Sequence, residues 1–369
     1  MNKDFLLTTG LLAGTIIGAG IFSLPYVVSR LGILNGFFYL IGFALVYFVV
    51  HLMYANLIRA NQGEHQFFYL AKKYLPRGLS DFASFIILAE LVFVLTVYLI
   101  LAPTFAELIF GEGGLAALFV FWFLGSIFIF AKLSFLDWAE FLGTLSILAI
   151  VAIIFFVGGG SRFGVPIFKP INLPLFFLPF GPMLFSLAGR PAISKVMEEY
   201  RRVKASGKNL SLNKVIFWGT VIPAVVYFLF AVSILRLSPE PSAEALNGLG
   251  FLPPAILILL GVLGLLTLWT SYFIIGANIK DILRIDLRKP AWFSALMVLA
   301  APLTLYFFGF KSFLPAVSLT GGIFLSLEGV FVIAMWRKAF PRSFWRFASF
   351  PLYLVFIAAM VYVIISFVF

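Results

Sequence analysis

Two carboxyls, Glu90 and Glu328, sit well inside long apolar runs of this sequence. Taking an ionised carboxylate out of water is costly, so each is expected to be protonated, paired or facing water. Burial favours the neutral acid, so either could carry a proton. The structural alternative is a helix–helix hydrogen bond, or a partner such as Arg190 or His51. Arg190, between Gly189 and Pro191, could gate a path by pairing with an acid, or simply snorkel to an interface. Thr267, Thr270 and Ser271 fall on or near one face of a helix, and hydroxyls are suitable ligands for a small hard cation. They could equally bond back to carbonyls of their own helix. Tyr98 and Phe185 are the aromatic candidates for lining a pocket, followed by Phe180 and Tyr272, with Ser318 and Thr320 as further polar candidates. Nucleophilic or metal-assisted catalysis has little to work with: there is no cysteine, no HExxH, and only His51 and His65 for imidazole chemistry.

The elements that must position these residues are interrupted ones. The stretch Gly10 to Gly32 is apolar enough to cross a bilayer, yet Gly10, Gly14, Gly18, Gly20 and Pro25 punctuate it. Glycine frees the backbone and proline removes a donor. Within lipid, irregular backbone is tolerated only where it lines a protein cavity. The spacing of Gly10, Gly14 and Gly18 also suits a small-residue packing face. A second interrupted stretch, Leu173 to Tyr200, has Pro174, Pro179 and Pro182 leading in, with a break expected around Ser186, Ala188, Gly189 and Pro191. Two broken spans in matching positions predict a binding site between them near mid-membrane.

Of the 369 residues 63% are hydrophobic and 11% charged, with a mean hydropathy of +1.11. No soluble core needs so much apolar surface, so the chain is read as an all-α polytopic membrane protein. Eleven spans are expected, approximately 5–29, 36–58, 82–110, 115–131, 138–157, 175–196, 215–235, 254–283, 292–308, 314–336 and 347–369. The first is read as a retained helix and not a cleaved signal peptide. With the N-terminus inside, Arg30, Arg162, Lys169, Arg236 and Lys311 are outside, and the other 21 of the 26 Lys and Arg residues are cytoplasmic. This split explains the net charge of +11 by membrane orientation, without nucleic acid, and makes the C-terminus external. The stretch 195–214 is expected to extend a helix into the cytoplasm, and its run Arg201, Arg202, Lys204 could touch anionic lipid. Broken spans one and six lie five apart. Units of five helices would then be inverted repeats, about 5–157 and 174–338, with 347–369 an extra helix in one transporter domain, 1–369.

At these residues the chain resembles the amino acid/auxin permease family, of the amino acid–polyamine–organocation superfamily with its LeuT-type fold. The run GTIIGAGIFSLP, Gly14 to Pro25, resembles that family's first-helix signature; MLFSLAGRPAI, Met183 to Ile193, its sixth; LWTSYFIIGANIKDIL, Leu268 to Leu283, its eighth. One departure is that Arg190 stands where many relatives carry histidine, which puts proton handling at this position in question.

The resemblance implies secondary transport of amino acids driven by Na⁺ or H⁺. It matches Thr270 and Ser271, with Thr267 beside them, to a sodium site completed by carbonyls near Gly14 and Ile17. No lysine lies in 138–157, where some proton-driven relatives have one, which favours sodium. Freed N–H groups around Thr15, Gly18, Ala19 and Gly20 suit a carboxylate, and carbonyls around Ser186 to Gly189 suit an ammonium. The expectation is a Na⁺-coupled symporter of neutral amino acids, integral to the cell or inner membrane, with substrate also touching Tyr98 and Phe185. No obligatory protein partner is evident. Alternatives are a proton-driven permease or exchanger and, from another class, an amino-acid-sensing transceptor acting through 195–214.

Overall fold

The computed structural model describes residues 3–61, 67–129, 133–158, 166–238, 240–246, 248–343, 346–347 and 349–368, with 133–140 and 368 as backbone only. His65, Lys132 and Arg162 lie outside the described residues.

The first apolar run breaks where its glycines predict. Helix α1 (Lys3–Ile16) ends as Gly18 turns extended, at φ −143° and ψ −165°. A 3-10 turn, Ala19–Ser23, leads into α2 (Leu24–Leu31), whose Pro25 sits in the first turn, where a missing N–H is harmless. The two halves are bent by 51°. Gly10 takes no part in this: it is helical and a Cβ there would meet nothing within 4 Å. The regular helices α3 (Ile33–Ala60), α4 (Phe67–Tyr74), α5 (Arg77–Phe110), α6 (Leu115–Phe128) and α7 (Leu133–Gly158) follow.

The second interrupted run begins with a short helix, α8 (Leu173–Phe177), capped by the Asn172 side chain accepting from the Leu175 N–H at 3.0 Å. Helix α9 (Phe180–Leu187) then stops at Ala188 and Gly189, and α10 (Arg190–Ala205) restarts with Pro191 in its first turn. Ser186 belongs to the last turn of α9, so the break is narrower than the sequence suggested. Helix α10 carries the charged stretch only as far as Ala205, and Gly207, at φ +75°, helps turn the chain into the next helix.

Helices α11 (Leu212–Leu237), α12 (Pro254–Asp281), α13 (Ala291–Phe307), α14 (Phe313–Leu319), α15 (Ser326–Ala339) and α16 (Ser349–Val368) complete the chain. Two π-helical segments were not anticipated: Ile282–Asp286 prolongs α12, and Thr320–Leu325 joins α14 to α15. Eight helices, some counted across such junctions, are long and apolar enough to span a membrane, and the bent α1–α2 pair makes a ninth. Helices α6 and α13 are apolar but shorter, at 14 and 17 residues. Large apolar side chains such as Phe85, Phe123 and Phe156 point outwards, as they do when lipid is the solvent. The molecule is an all-helical, polytopic integral membrane protein.

Packing is organised around the breaks. Helix α5 lies against α12 and α13, α12 against α7, α1 against α10 and α11, and α9 against both the 3-10 turn and the π segment Thr320–Leu325.

Candidate functional site

The two breaks meet. A Cβ on Gly20 would lie 2.6 Å from the Ser186 Cα, so only glycine lets these backbones approach. Tyr227 of α11, fully buried, fastens them together. Its hydroxyl lies 2.6 Å from the Ile16 carbonyl and 2.9 Å from that of Ser186, and accepts the Gly18 N–H at 3.4 Å. One side chain thus satisfies backbone groups that two interrupted helices leave open. On the far side, Tyr47 of α3 donates to the Leu184 carbonyl at 2.7 Å.

A cavity of about 810 Å³ opens beside this junction. All eight residues expected at the substrate position line it, from Thr15 on α1 through Tyr98 on α5 to Gly189 at the break. The hydroxyls of Thr15 and Ser186 donate to their own helices, to Leu11 at 3.0 Å and Pro182 at 2.7 Å. What the breaks add at this place is therefore backbone polarity. The cavity runs on past Lys195 and Arg202 to Asp281 and Asp286, and so opens at the end where Lys208 bonds Asp4 at 2.8 Å. The opposite end gathers Ser29 and Lys169, joined at 2.8 Å, with Arg30 and Glu240 close by.

Several pocket candidates turn elsewhere. Tyr272 packs on Gly125 and Phe121, because the absent side chain at Gly125 leaves room for its ring. Phe180 joins an aromatic cluster with Tyr39 and Phe43. Ser318 abuts Gly181, and the Thr320 hydroxyl donates to the Ala316 carbonyl at 2.7 Å. None of these four lines the cavity.

The residues expected to hold sodium lie along a seam between α1, α7 and α12. Helix α7 stands between α1 and α12: the Thr144 hydroxyl donates to the Gly14 carbonyl at 3.2 Å, and Thr267 donates to the Gly143 carbonyl at 3.3 Å. Thr270 bonds back to the Thr267 carbonyl at 3.0 Å and fills the space that Gly143 leaves. Ser271, one residue on, turns towards the Tyr98 hydroxyl. Ile17 is buried in the core. Oxygen donors for a hard cation are thus concentrated along α7 and α12. Thr144 and Gly143 are members of this seam that the sequence did not single out.

The charged residues do converge. Arg190 at the start of α10 donates through Nε to Glu328 Oε2 of α15 at 2.5 Å. Glu90 of α5 stands close to both of them. Both carboxyls are 4% exposed, and all three residues line the cavity. The guanidinium rests 5.1 Å from the centre of the Phe67 ring of α4 and also reaches Tyr54 of α3. Arg190 is therefore paired in the interior and does not snorkel. His51 is not its substitute: the ring faces Thr220 at 3.2 Å and packs near Gly189.

Tyr227 and Tyr54 escaped sequence reasoning because each is one of 13 tyrosines in an aromatic-rich chain. The amphipathic α4, with Phe67 and Phe68 inward and Lys72 and Lys73 exposed, has a local signal in FFYLAKKY.

Broken helices meeting beside a cavity, inside an apolar helical bundle, give the LeuT-type fold shared with solved transporter structures. Mhp1, described as a nucleobase-cation-symport-1 family transporter, superposes in its closed, bromovinylhydantoin-bound conformation with a TM-score of 0.61 at 13% identity, over 98% of this chain and 90% of that one. Its inward-facing conformation gives 0.54 at 13% identity, over 98% and 89%. A manganese transporter from Eremococcus coleocola, in complex with an aromatic bis-isothiourea substituted compound, gives 0.57 at 15%, over 98% and 86%. At such identities the likeness concerns the fold. No curated protein sequence matches significantly. The family is given by sequence: residues 2–233 match the model of the transmembrane amino acid transporter proteins, and the chain belongs to that family.

Proposed function

We propose that this protein is a secondary active transporter of neutral amino acids working by alternating access, with substrate held where α1–α2 and α9–α10 break. The observation that carries this reading is the contact of the two breaks at Gly20 and Ser186 beside the cavity. Backbone N–H groups after Gly18 suit the carboxylate, and carbonyls ending α9 suit the ammonium. No fixed charge is needed for either.

The topology that goes with it has eleven spans, α6 and α13 included, arranged as inverted repeats of about 5–157 and 174–338 plus α16. The N-terminus is cytoplasmic and the C-terminus external, in agreement with the distribution of basic residues. On this orientation the cavity opens inwards.

Sodium is the coupling ion expected from Thr270 and Ser271, with Gly14, Ile17 and Thr267. The cluster of hydroxyls and carbonyls between α7 and α12 supports that reading chemically. A second reading, proton coupling, is favoured by Glu90, Arg190 and Glu328 on the cavity wall. The two ions would use different helices and need not exclude each other.

The test is uptake of a labelled amino-acid panel into proteoliposomes under an inward Na⁺ or an inward H⁺ gradient. The wild type would run beside the double variant Thr270→Ala, Ser271→Ala. Sodium-driven uptake that falls at least tenfold in the double variant is the expected outcome for a sodium site. Uptake that follows the proton gradient and ignores both hydroxyls would remove that site. Folded protein that carries no amino acid under either gradient would overturn the substrate class.

A further inference from the structure

Glu90, Arg190 and Glu328 come from three helices far apart in sequence, and two features set them apart from a simple ion pair. Glu90 adds a second carboxyl to a pair that Arg190 and Glu328 already complete. Its Oε2 has no hydrogen-bond partner although the residue is 4% exposed, and it borders the cavity. With one proton, the cluster of two acids and one guanidinium is neutral; without it, one negative charge is left over in a site shielded from bulk water.

We propose that Glu90 carries one exchangeable proton beside the completed Arg190–Glu328 ion pair, and that this proton is the one the transport cycle moves. The proposal rests on the secondary-transport reading above. The proton would leave to water in the cavity, on the side where the cavity opens, and return from the opposite side after the cavity closes there. The carboxyl O–H bond breaks as the proton passes to a cavity water and forms again when the proton returns, with nothing oxidised or reduced.

The surroundings fit a single exchangeable proton. Helix α3 contributes Tyr47 and Tyr54, the latter hydrogen-bonded to Arg190 and Ser194. Helix α4 contributes the Phe67 ring under the guanidinium, while its Lys72 and Lys73 face outwards. Farther down the cavity lie Lys195, Glu198, Glu199 and Arg202 of α10, with Arg202 bonded to Glu199 at 2.6 Å. Asp281 and Asp286 come from the end of α12 and its π segment. Among the described residues, Arg190 is the cation acting on Glu90.

The position of the cluster links its charge to the moving parts. Arg190 is the first residue after the Ala188–Gly189 break, and Glu328 lies in the first turn of α15, which follows the π segment that packs against α9. Loss of the proton sets two carboxylates against one guanidinium. The resulting repulsion acts between Glu90 of α5 and Glu328 of α15, while both carboxylates compete for Arg190 at the start of α10, next to the substrate break.

The experiment combines two readouts on the full-length protein. Difference infrared spectroscopy on reconstituted protein, stepping pH without substrate, reads the C=O stretch of a protonated carboxyl. The wild type should show one titrating band, absent from Glu90→Gln and restored in shifted form by Glu90→Asp, with the thermal midpoint of each variant confirming that it is folded. In proteoliposomes, a pH-sensitive dye should report proton entry with amino acid in the wild type, and acid-driven accumulation should fall at least tenfold in Glu90→Gln. A band unchanged in Glu90→Gln, or one removed by Na⁺ at constant pH, would overturn the proton site. Because the infrared signal needs no substrate, it decides the proposal even if no amino acid in the panel is carried.

Discussion

Tyr227 is the side chain on which the geometry of both breaks depends. Its hydroxyl serves the buried Ile16 and Ser186 carbonyls and the part-buried Gly18 N–H. Removing one partner of buried polar groups costs about 1–3 kcal/mol, against little for an apolar swap at a dry site. Tyr227→Phe is therefore expected to lower the thermal midpoint in detergent and to raise the KM for uptake severalfold, with a smaller effect on maximal rate. A variant with unchanged stability and KM would show that the breaks hold their shape without it. This residue was not legible beforehand, whereas Glu90, Arg190 and Glu328 were, and the reason is physical. A charge inside an apolar run is a local anomaly visible in sequence; a tyrosine hydroxyl becomes special only through what two distant segments bring to it. Even for the charged trio, sequence offered the residues and a possible partnership but not the meeting of α5, α10 and α15.

At the scale of elements, the glycines separate into kinds that their shared spacing conceals. Gly18 and Gly20 make the break, Gly14 admits Thr144 of α7, and Gly10 faces nothing. The small-residue spacing in α1 is thus not a single packing stripe, although the break itself was readable from residues 14–25. The π segment Thr320–Leu325 was not readable, because its hydrogen-bond shift depends on what it packs against. A Cβ on Gly321 would come 1.9 Å from the Gly181 carbonyl oxygen and 2.9 Å from the Phe185 nitrogen, both backbone atoms that cannot rotate away. Gly321→Ala must push α9 from the π segment, and overpacking of this kind costs about 1–3 kcal/mol. The expected result is a clear drop in thermal midpoint together with lost uptake, since Phe185 and Ser186 ride on α9. Gly10→Ala, the companion control, should leave stability within about 0.5 kcal/mol of wild type. Equal effects of the two substitutions would mean that the approach of α9 to the π segment is not what fixes the site.

For the whole molecule, the decisive quantity is which end faces the cytoplasm, because that determines the direction in which the cavity delivers its contents. The structure gathers Asp4, Lys208 and the cavity mouth at one end and Arg30, Lys169 and Glu240 at the other. Basic residues concentrate at the first of these ends, and loops rich in Lys and Arg remain on the cytoplasmic side during insertion. The chain has no cysteine, so any introduced thiol is the sole reporter. Glu112→Cys, on the exposed connection after α5, should react with a membrane-impermeant maleimide on intact cells. Asn209→Cys, exposed in the turn after α10, should react only once the membrane is permeabilised. The reverse pattern would invert the orientation and turn the cavity outwards. Val94→Cys then tests the cavity itself, since Val94 lines it one turn beyond Glu90 on α5. In inside-out vesicles this thiol should label from the cytoplasmic face and be protected by a transported amino acid. Labelling that substrate does not slow would separate the cavity from the transport path, whatever the orientation of the chain.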